Sequence, residues 1–132
     1  MDGNTAPPVA PDVTLERLHE IADAFARRDV DGIVGFFAED GEFRNAKGPN
    51  HWGQSFKGKA AIRSYFEPLF ANTGDVKWRH TGEFIYGNRA VTEWHRTATL
   101  SNGERQEWLG CDLYTFRRGL IVMKDTYIKV VI

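Results

Sequence analysis

Apolar residues recur at helical spacing in two stretches of the first half of the chain. The first stretch predicts an amphipathic helix from about residue 14 to 28, with Asp12 or Thr14 as its N-cap. The second predicts a helix over 58–72, although Pro68 should kink it or end its regular part early, because proline cannot donate a helical hydrogen bond. Both helices should turn one apolar face toward a core.

The segment between these helices is more broken. Asp31 is placed to cap a second short helix that carries Ile33, Val34, Phe36 and Phe37. A short strand is expected over 42–45. Residues 46–57 contain two glycines, a proline and an asparagine, a composition that predicts a loop. Trp52 is an unusual residue for such a loop, and it is a candidate to cover the mouth of a pocket.

After Gly74 the pattern changes to runs rich in β-branched and aromatic residues, separated by turns that contain Gly or Asn. These runs predict four strands, over 76–86, 89–100, 105–116 and 120–131. Helices followed by an antiparallel meander indicate an α+β domain.

Turn geometry then predicts which strand residues share a face. Reading Asn102-Gly103 as a two-residue turn sets Glu93 opposite Asp112 and His95 opposite Gly110. A four-residue loop between Phe116 and Ile121 sets Asp125 opposite Asp112. One face should therefore carry a row of carboxylates with two further polar residues close by, namely Glu93, Asp112, Asp125, His95 and Tyr114.

Three carboxylates side by side repel one another, so on a dry face at least one should hold a proton near neutral pH. If the face is wet instead, the same row is ordinary solvated polarity. Periodicity alone leaves both interpretations open.

Composition limits the classes of function. The formal charge is −1, with 17 basic and 18 acidic residues in mixed order, so neither nucleic acid nor a membrane surface is an expected partner. No apolar stretch approaches the roughly 20 residues of a membrane span. The opening residues lack a signal-peptide pattern and only one cysteine is present, which predicts a cytoplasmic protein.

Residues 1–12 are rich in Pro, Gly and small polar residues, so a flexible tail is expected before one domain spanning 13–132. Four histidines are present, without His-x-His or paired-cysteine spacing. No Walker loop and no dinucleotide-binding fingerprint is present either. We therefore expect neither a metal nor an organic cofactor.

The sequence also resembles a known family. Segments 29–40 and 56–63 resemble the first half of ketosteroid isomerases and SnoaL-like polyketide cyclases, and 112–121 with 125–127 resemble their closing strands. The likeness covers about 14–131. It implies the nuclear transport factor 2-like fold, a conical barrel in which a strongly curved, mostly antiparallel sheet wraps around about three N-terminal helices and one pocket.

The resemblance further implies roles for individual residues. Asp112 falls where ketosteroid isomerases keep a protonated aspartate, which donates a hydrogen bond to the oxyanion that forms on the substrate. Asp125 falls where related cyclases and epoxide hydrolases place an acid or base, and His80 where scytalone-dehydratase-like proteins carry a catalytic histidine. Asn45 replaces the proton-shuttling aspartate of the isomerases, which argues against steroid isomerisation by their mechanism.

Together these features predict a cofactor-free enzyme that transfers protons on a small apolar or aromatic substrate bearing a carbonyl or hydroxyl. The candidate catalytic residues are His80, Asp125, Asp112 and His95. The candidate substrate-binding residues are Asn45, Tyr114, Trp52, Trp78, Trp108 and Glu93. The alternative is a non-catalytic binding or dimerisation domain, and a homodimer is expected through an outer sheet face carrying Trp94, Leu109, Cys111 and Leu113.

Overall fold

Three helices and a six-stranded sheet make up the computed structural model, which describes residues 10–132. The helices are α1 (Leu15–Ala26), α2 (Val30–Gly35) and α3 (Lys59–Asn72). The strands are β1 (Phe37–Asn50), β2 (Gly53–Lys57), β3 (Thr73–Tyr86), β4 (Arg89–Leu100), β5 (Arg105–Arg117) and β6 (Leu120–Ile128). The predicted α+β class and the four-strand meander of the second half are confirmed.

Side-chain caps fix where the first two helices begin. Thr14 caps α1, its Oγ1 accepting a hydrogen bond from the backbone N–H of Arg17 at 3.1 Å. Asp29 caps α2 in the same way, accepting from Gly32 N–H at 3.0 Å. The assignment of this cap to Asp31 was wrong, because Asp31 lies inside the first turn of the helix.

The sheet has the order β2-β1-β6-β5-β4-β3, so β2 and β3 form its two edges and it is open rather than closed. Within the described residues, the β1–β6 pair is parallel and the other four pairs are antiparallel. The helices cover one face and bury the core against it, around Phe37, Phe116, Ile33, Ile62 and Ile121. This mostly antiparallel sheet wrapped around three helices is the predicted arrangement.

The loop predicted over 46–57 was wrong, because most of it is a β1–β2 hairpin. The two strands pair regularly up to Asn45, pass through an irregular stretch that holds Pro49, and turn at residues 51–52. Gly53 adopts a φ of +88°, and any side chain there would collide with the Asn45 carbonyl oxygen. A polar, Gly- and Pro-containing composition is compatible with an irregular strand as well as with a loop.

The β4–β5 hairpin differs from the predicted one by a single residue. Leu100 N–H donates to the Glu104 carbonyl at 2.8 Å, which leaves a three-residue loop with Gly103 at a φ of +87°. The register therefore pairs Thr92 with Asp112, rather than Glu93 with Asp112. A slip of one residue exchanges the two faces of a strand, so β4 presents its other set of side chains to the helices.

The β5–β6 connection also differs. Arg118 and Gly119 form a two-residue turn, both with positive φ, and the predicted Phe116–Ile121 pair is present. One extra residue then bulges out of β6, so that Asp125 pairs with Leu113 instead of Asp112.

The start of the described chain is fastened to this β5–β6 turn. The Asp12 carboxylate accepts from Arg118 N–H at 2.7 Å, and the Asp12 carbonyl accepts from Gly119 N–H at 2.8 Å. Most of the predicted flexible tail, residues 1–9, lies outside the described residues.

None of the three helices found between residues 10 and 132 is long and apolar enough to span a membrane.

Candidate active site

A cavity of about 310 Å³ lies between the helices and the concave face of the sheet. Its walls are mostly aromatic and aliphatic, with contributions from α1, α3 and the five strands β1, β3, β4, β5 and β6. The aromatic lining side chains include Phe25, Phe66, Phe70, Trp78, Trp94 and Trp108. Apolar walls with a few polar groups are typical of a site for a small organic molecule.

Asp112 on β5 is the most highly bonded polar group of the cavity. Its Oδ2 accepts from Thr92 Oγ1 at 3.1 Å and from Trp94 Nε1 at 2.9 Å. Its Oδ1 accepts from Thr126 Oγ1 at 2.7 Å and from Lys124 Nζ at 2.9 Å. The indole N–H and the ammonium can only donate, so both oxygens of Asp112 act here as acceptors.

Lys124 on β6 is the partner that balances this charge. Its side chain is only 8% exposed, and its ammonium also donates to Thr126 Oγ1 at 2.9 Å. The same ammonium lies 5.0 Å from the ring centres of both Phe25 and Phe43, within cation–π distance. An ammonium has three N–H groups, so one is left for a molecule in the cavity.

His80 on β3 lines the cavity and is half-buried. Burial lowers the pKa of His80 below its ordinary value, and the positive charges of His19 and Lys124 act in the same direction. The carboxylates of Asp112 and Glu83 oppose this change. Within residues 10–132 this imidazole makes no hydrogen bond. His80 is therefore a neutral ring at neutral pH with a free nitrogen.

Arg96 on β4 is a second buried cation, 5% exposed as a residue. Its guanidinium lies 4.4 Å from the ring centre of Trp108 and 5.5 Å from that of Trp78. It donates one hydrogen bond, to Gln106 Oε1 at 3.2 Å. Desolvation lowers the pKa of Arg96, as expected for a cation held among aromatic rings.

Two tyrosine hydroxyls lie in the same cavity. Burial raises the pKa of Tyr114 well above its ordinary value, and the charge of Asp112 adds to the effect. Burial also raises the pKa of Tyr65, against the opposing influence of Arg96 and of a hydrogen bond from Asn45. Both hydroxyls stay protonated near neutral pH and can donate to a ligand.

Of the residues predicted from the sequence, six line the cavity: His80, Asp112, Asn45, Tyr114, Trp78 and Trp108. The other four do not. Glu93, His95 and Asp125 lie on the opposite face of the sheet because of the two register differences, and His95 Nε2 pairs there with Glu107 Oε1 at 3.3 Å. Trp52 lies in the β1–β2 turn, where its ring is edge-on to His51. The row of three carboxylates does not form.

The sequence reasoning missed Gln106, which shares the inner face of β5 with Asp112, and it missed the residues that the true register turns inward, namely Thr92, Arg96, Lys124 and Thr126. The prediction of Trp94 on the outer, dimer-forming face was wrong, because the register of β4 turns this side chain into the cavity, where it is buried. One signal for the β4 residues was present. Ser101-Asn102-Gly103 also fits a three-residue loop with glycine in the left-handed position, and that loop turns Arg96 inward. The β6 bulge has no comparable signal in the sequence.

Between residues 10 and 132, no three His, Cys, Asp or Glu side chains lie close enough together to hold a metal ion.

Comparisons with known proteins agree with this geometry. The family model described as SnoaL-like domain matches residues 18–123. No curated protein matches the chain.

Several solved structures share the fold. An NTF2-like protein of unknown function from Burkholderia pseudomallei has a TM-score of 0.77 at 18% identity, covering 92% of each chain. TerC, co-crystallised with polyporic acid, has a TM-score of 0.75 at 20% identity, covering 91% of this chain and 92% of TerC. An LEH-like epoxide hydrolase from M. tuberculosis has a TM-score of 0.73 at 13% identity, covering 87% of this chain and 81% of its own. These TM-scores show a common fold, and at such low sequence identities the likeness shows the fold alone.

Proposed function

Because the chain belongs to the SnoaL-like domain family, we propose that it is a cofactor-free enzyme that transfers protons on a small, largely aromatic molecule bearing a carbonyl or hydroxyl. The observation that carries the proposal is the combination of a free, neutral imidazole and a buried cation on the wall of one aromatic cavity. Proton removal from carbon needs a base of suitable pKa and a group that stabilises the oxyanion that forms.

His80 is the proposed general base. Its free nitrogen takes the proton from a carbon next to the carbonyl. The electron pair of that C–H bond forms a carbon–carbon double bond, and the π pair of the carbonyl group moves to its oxygen. The resulting imidazolium then returns the proton to another carbon, which is isomerisation, or to a leaving hydroxyl, which is dehydration. Asp112 and Lys124 both act on the pKa of His80, so the base and the ion pair are electrostatically in reach of one another.

Lys124 is the proposed stabiliser of the oxyanion, through its remaining N–H. Asp112 fixes the ammonium in place and neutralises it in the resting cavity. Asp112 is therefore proposed as a positioning residue rather than the hydrogen-bond donor that the family resemblance implied. Tyr114 and Asn45 supply further donors for orienting a substrate.

Two solved proteins of the same fold support a small-molecule reaction. TerC was co-crystallised with polyporic acid, and another relative is an epoxide hydrolase. We also propose, as the sequence predicted, that the protein acts in the cytoplasm and as a homodimer.

Hydrogen exchange tests the reaction without knowledge of the natural product. The purified protein is incubated in D₂O with neutral bicyclic ketones, 2-tetralone and 1-indanone, and deuterium uptake next to the carbonyl is followed by ¹H NMR. The wild-type protein should accelerate uptake over buffer, and His80→Gln should reduce this acceleration by roughly 10²- to 10⁴-fold, as is typical for loss of a general base.

His51→Gln is the matched control, because His51 is an exposed histidine in the β1–β2 turn and does not line the cavity. It should exchange at the wild-type rate. Equal rates for the wild type and His80→Gln would contradict the role of His80. If the ketones bind in calorimetry but no variant exchanges their hydrogens, the protein is a binding domain, the alternative function.

A further inference from the structure

The cavity carries one more positive charge than the proton-transfer proposal uses. Among the described charged residues that line it, Arg96 and Lys124 are cationic and Asp112 is anionic, with His80 neutral. Asp112 already accepts from Lys124, Thr92, Trp94 and Thr126. No lining carboxylate is left for Arg96.

Arg96 also uses few of its hydrogen-bond donors. A guanidinium has five N–H groups, and in the described chain one of them is used, toward the neutral Gln106 at 3.2 Å. The contacts with Trp78 and Trp108 are to their ring faces and use none of these donors. Burying a charge without a partner is costly, and such charges in proteins are normally paired. The guanidinium nitrogens of Arg96 that make no hydrogen bond are not sealed inside the protein, so these donors are available to a ligand in the cavity that Arg96 lines.

We propose that Arg96 is the anion-binding residue of this cavity and that the ligand is a planar aromatic carboxylate. A carboxylate fits the fork of a guanidinium with two parallel hydrogen bonds. The ring of such a ligand matches the walls formed by Trp78, Trp108, Phe70 and Phe66. A phosphate monoester is a poorer match, because it carries nearly two negative charges and the cavity offers one uncompensated cation.

Gln106 has a positioning role in this subsite. Its Oε1 holds one N–H of Arg96, and Trp78 and Trp108 limit the directions that the guanidinium plane can take. The charge of Lys47 also lies 5.1 Å from the ring centre of Trp108, so the surroundings add positive rather than negative potential.

This inference rests on the proposed function for the location of the ligand, since both use the same cavity. It differs in the group that acts: His80 in proton transfer, and Arg96 in anion binding. The probes are 2-naphthoate and its neutral isostere 2-naphthamide, whose affinities are measured by isothermal titration calorimetry.

The wild-type protein should bind 2-naphthoate roughly 10- to 100-fold more tightly than 2-naphthamide, the range expected for hydrogen bonds between charged groups. Arg96→Gln should abolish this preference while keeping affinity for the amide. Arg96→Lys should keep part of it, because charge remains but the bidentate fork is lost. Gln106→Ala should weaken naphthoate binding alone.

Arg79→Gln is the matched control, since it removes the same charge from an exposed position one residue before His80 that does not line the cavity. It should retain the wild-type preference. Melting temperatures give an independent readout: 2-naphthoate should raise that of the wild type more than 2-naphthamide does, whereas the two probes should act equally on folded Arg96→Met.

Equal affinities for the two probes in the wild type, or an undiminished preference in Arg96→Gln, would overturn the proposal. Neither result affects the exchange of neutral ketones, so the failure of this inference is distinguishable from the failure of the proposed function.

Discussion

Lys124 donates to Asp112 Oδ1 at 2.9 Å, and the two side chains are only 8% and 7% exposed. This pair joins β6 to β5 inside the cavity wall. The remaining acceptor capacity of Asp112 is taken up by two threonines and Trp94. The interaction therefore orders the polar part of an otherwise apolar cavity.

The first prediction concerns Asp112→Asn. An asparagine amide accepts fewer hydrogen bonds than the Asp112 carboxylate, and its NH₂ group would face side chains that themselves donate. The substitution also leaves Lys124 as an uncompensated buried charge. Removing one partner of a buried pair costs about 3–5 kcal/mol, so the free energy of unfolding should fall by an amount in that range. Urea denaturation followed by circular dichroism measures it.

The double variant Asp112→Asn, Lys124→Met is the control for this prediction. Methionine has a similar length and no charge, so the double variant should recover much of the lost stability. Equal stability of both variants would show that the two side chains are not coupled.

A second prediction concerns Gly110, which pairs with Trp94 across β4 and β5. A Cβ at position 110 would collide with the Trp94 indole and lie 2.6 Å from the Tyr127 carbonyl oxygen. Gly110→Ala should therefore displace Trp94 from Asp112 and lower the free energy of unfolding by about 1–3 kcal/mol, as overpacking does. Denaturation gives the energy and near-ultraviolet circular dichroism reports the indole.

Gly35→Ala provides the comparison for Gly110→Ala. A Cβ at Gly35, the last residue of α2, meets nothing within 4 Å, and alanine favours helix. This variant should be as stable as the wild type or more stable. If Gly110→Ala does not lower the free energy of unfolding, Trp94 can move without a loss of stability, which would contradict the prediction.

The sequence predicts the elements of this fold well because their patterns are long. The helical spacing of 14–28 and 58–72 and the four β-rich runs each extend over ten residues or more, and local errors average out. The registers lack that redundancy. Gly103 can close either a two- or a three-residue loop, and the choice decides whether Arg96 or His95 faces the cavity.

The bulge in β6 was beyond sequence reasoning for another reason. It depends on pairing with two neighbours at once, since β6 shifts register against both β1 and β5 near Ile121. Nothing local marks this position in the sequence. The predicted register therefore turned Asp125 toward the cavity, whereas the fold places Lys124 there and Asp125 on the opposite face.

A third prediction concerns Asp12, which holds the β5–β6 turn through its side chain and its carbonyl group. Asp12→Ala removes the side-chain bond to Arg118 N–H and should lower the free energy of unfolding by about 0.5–1.5 kcal/mol, the usual net value of one such bond. Thermal unfolding measures the change. Asp75→Ala, at an exposed strand position, should leave the melting temperature near that of the wild type.

The last prediction concerns pH and His80. Burial lowers the pKa of His80 in the folded protein relative to the exposed imidazole of the unfolded chain, whose pKa is about 6.5. Above that pH both states are neutral and the stability is complete. As the pH falls from about 6.5 toward the lower folded value, the unfolded chain binds the proton first, so stability is lost. His80→Gln should flatten this part of the profile.

The groups that face His80 are Asp112, Glu83, His19 and Lys124, and His19 is a second imidazole, paired with Glu83 at 2.9 Å. The comparison is therefore repeated in a His19→Gln background, with the free energy of unfolding measured between pH 8 and 5.5. As the pH falls below about 6.5, the protein with His80 should lose stability relative to the protein without it. A constant difference across this range would show that His80 takes up its proton as easily in the cavity as in water, and it would remove the basis for its role as a neutral base.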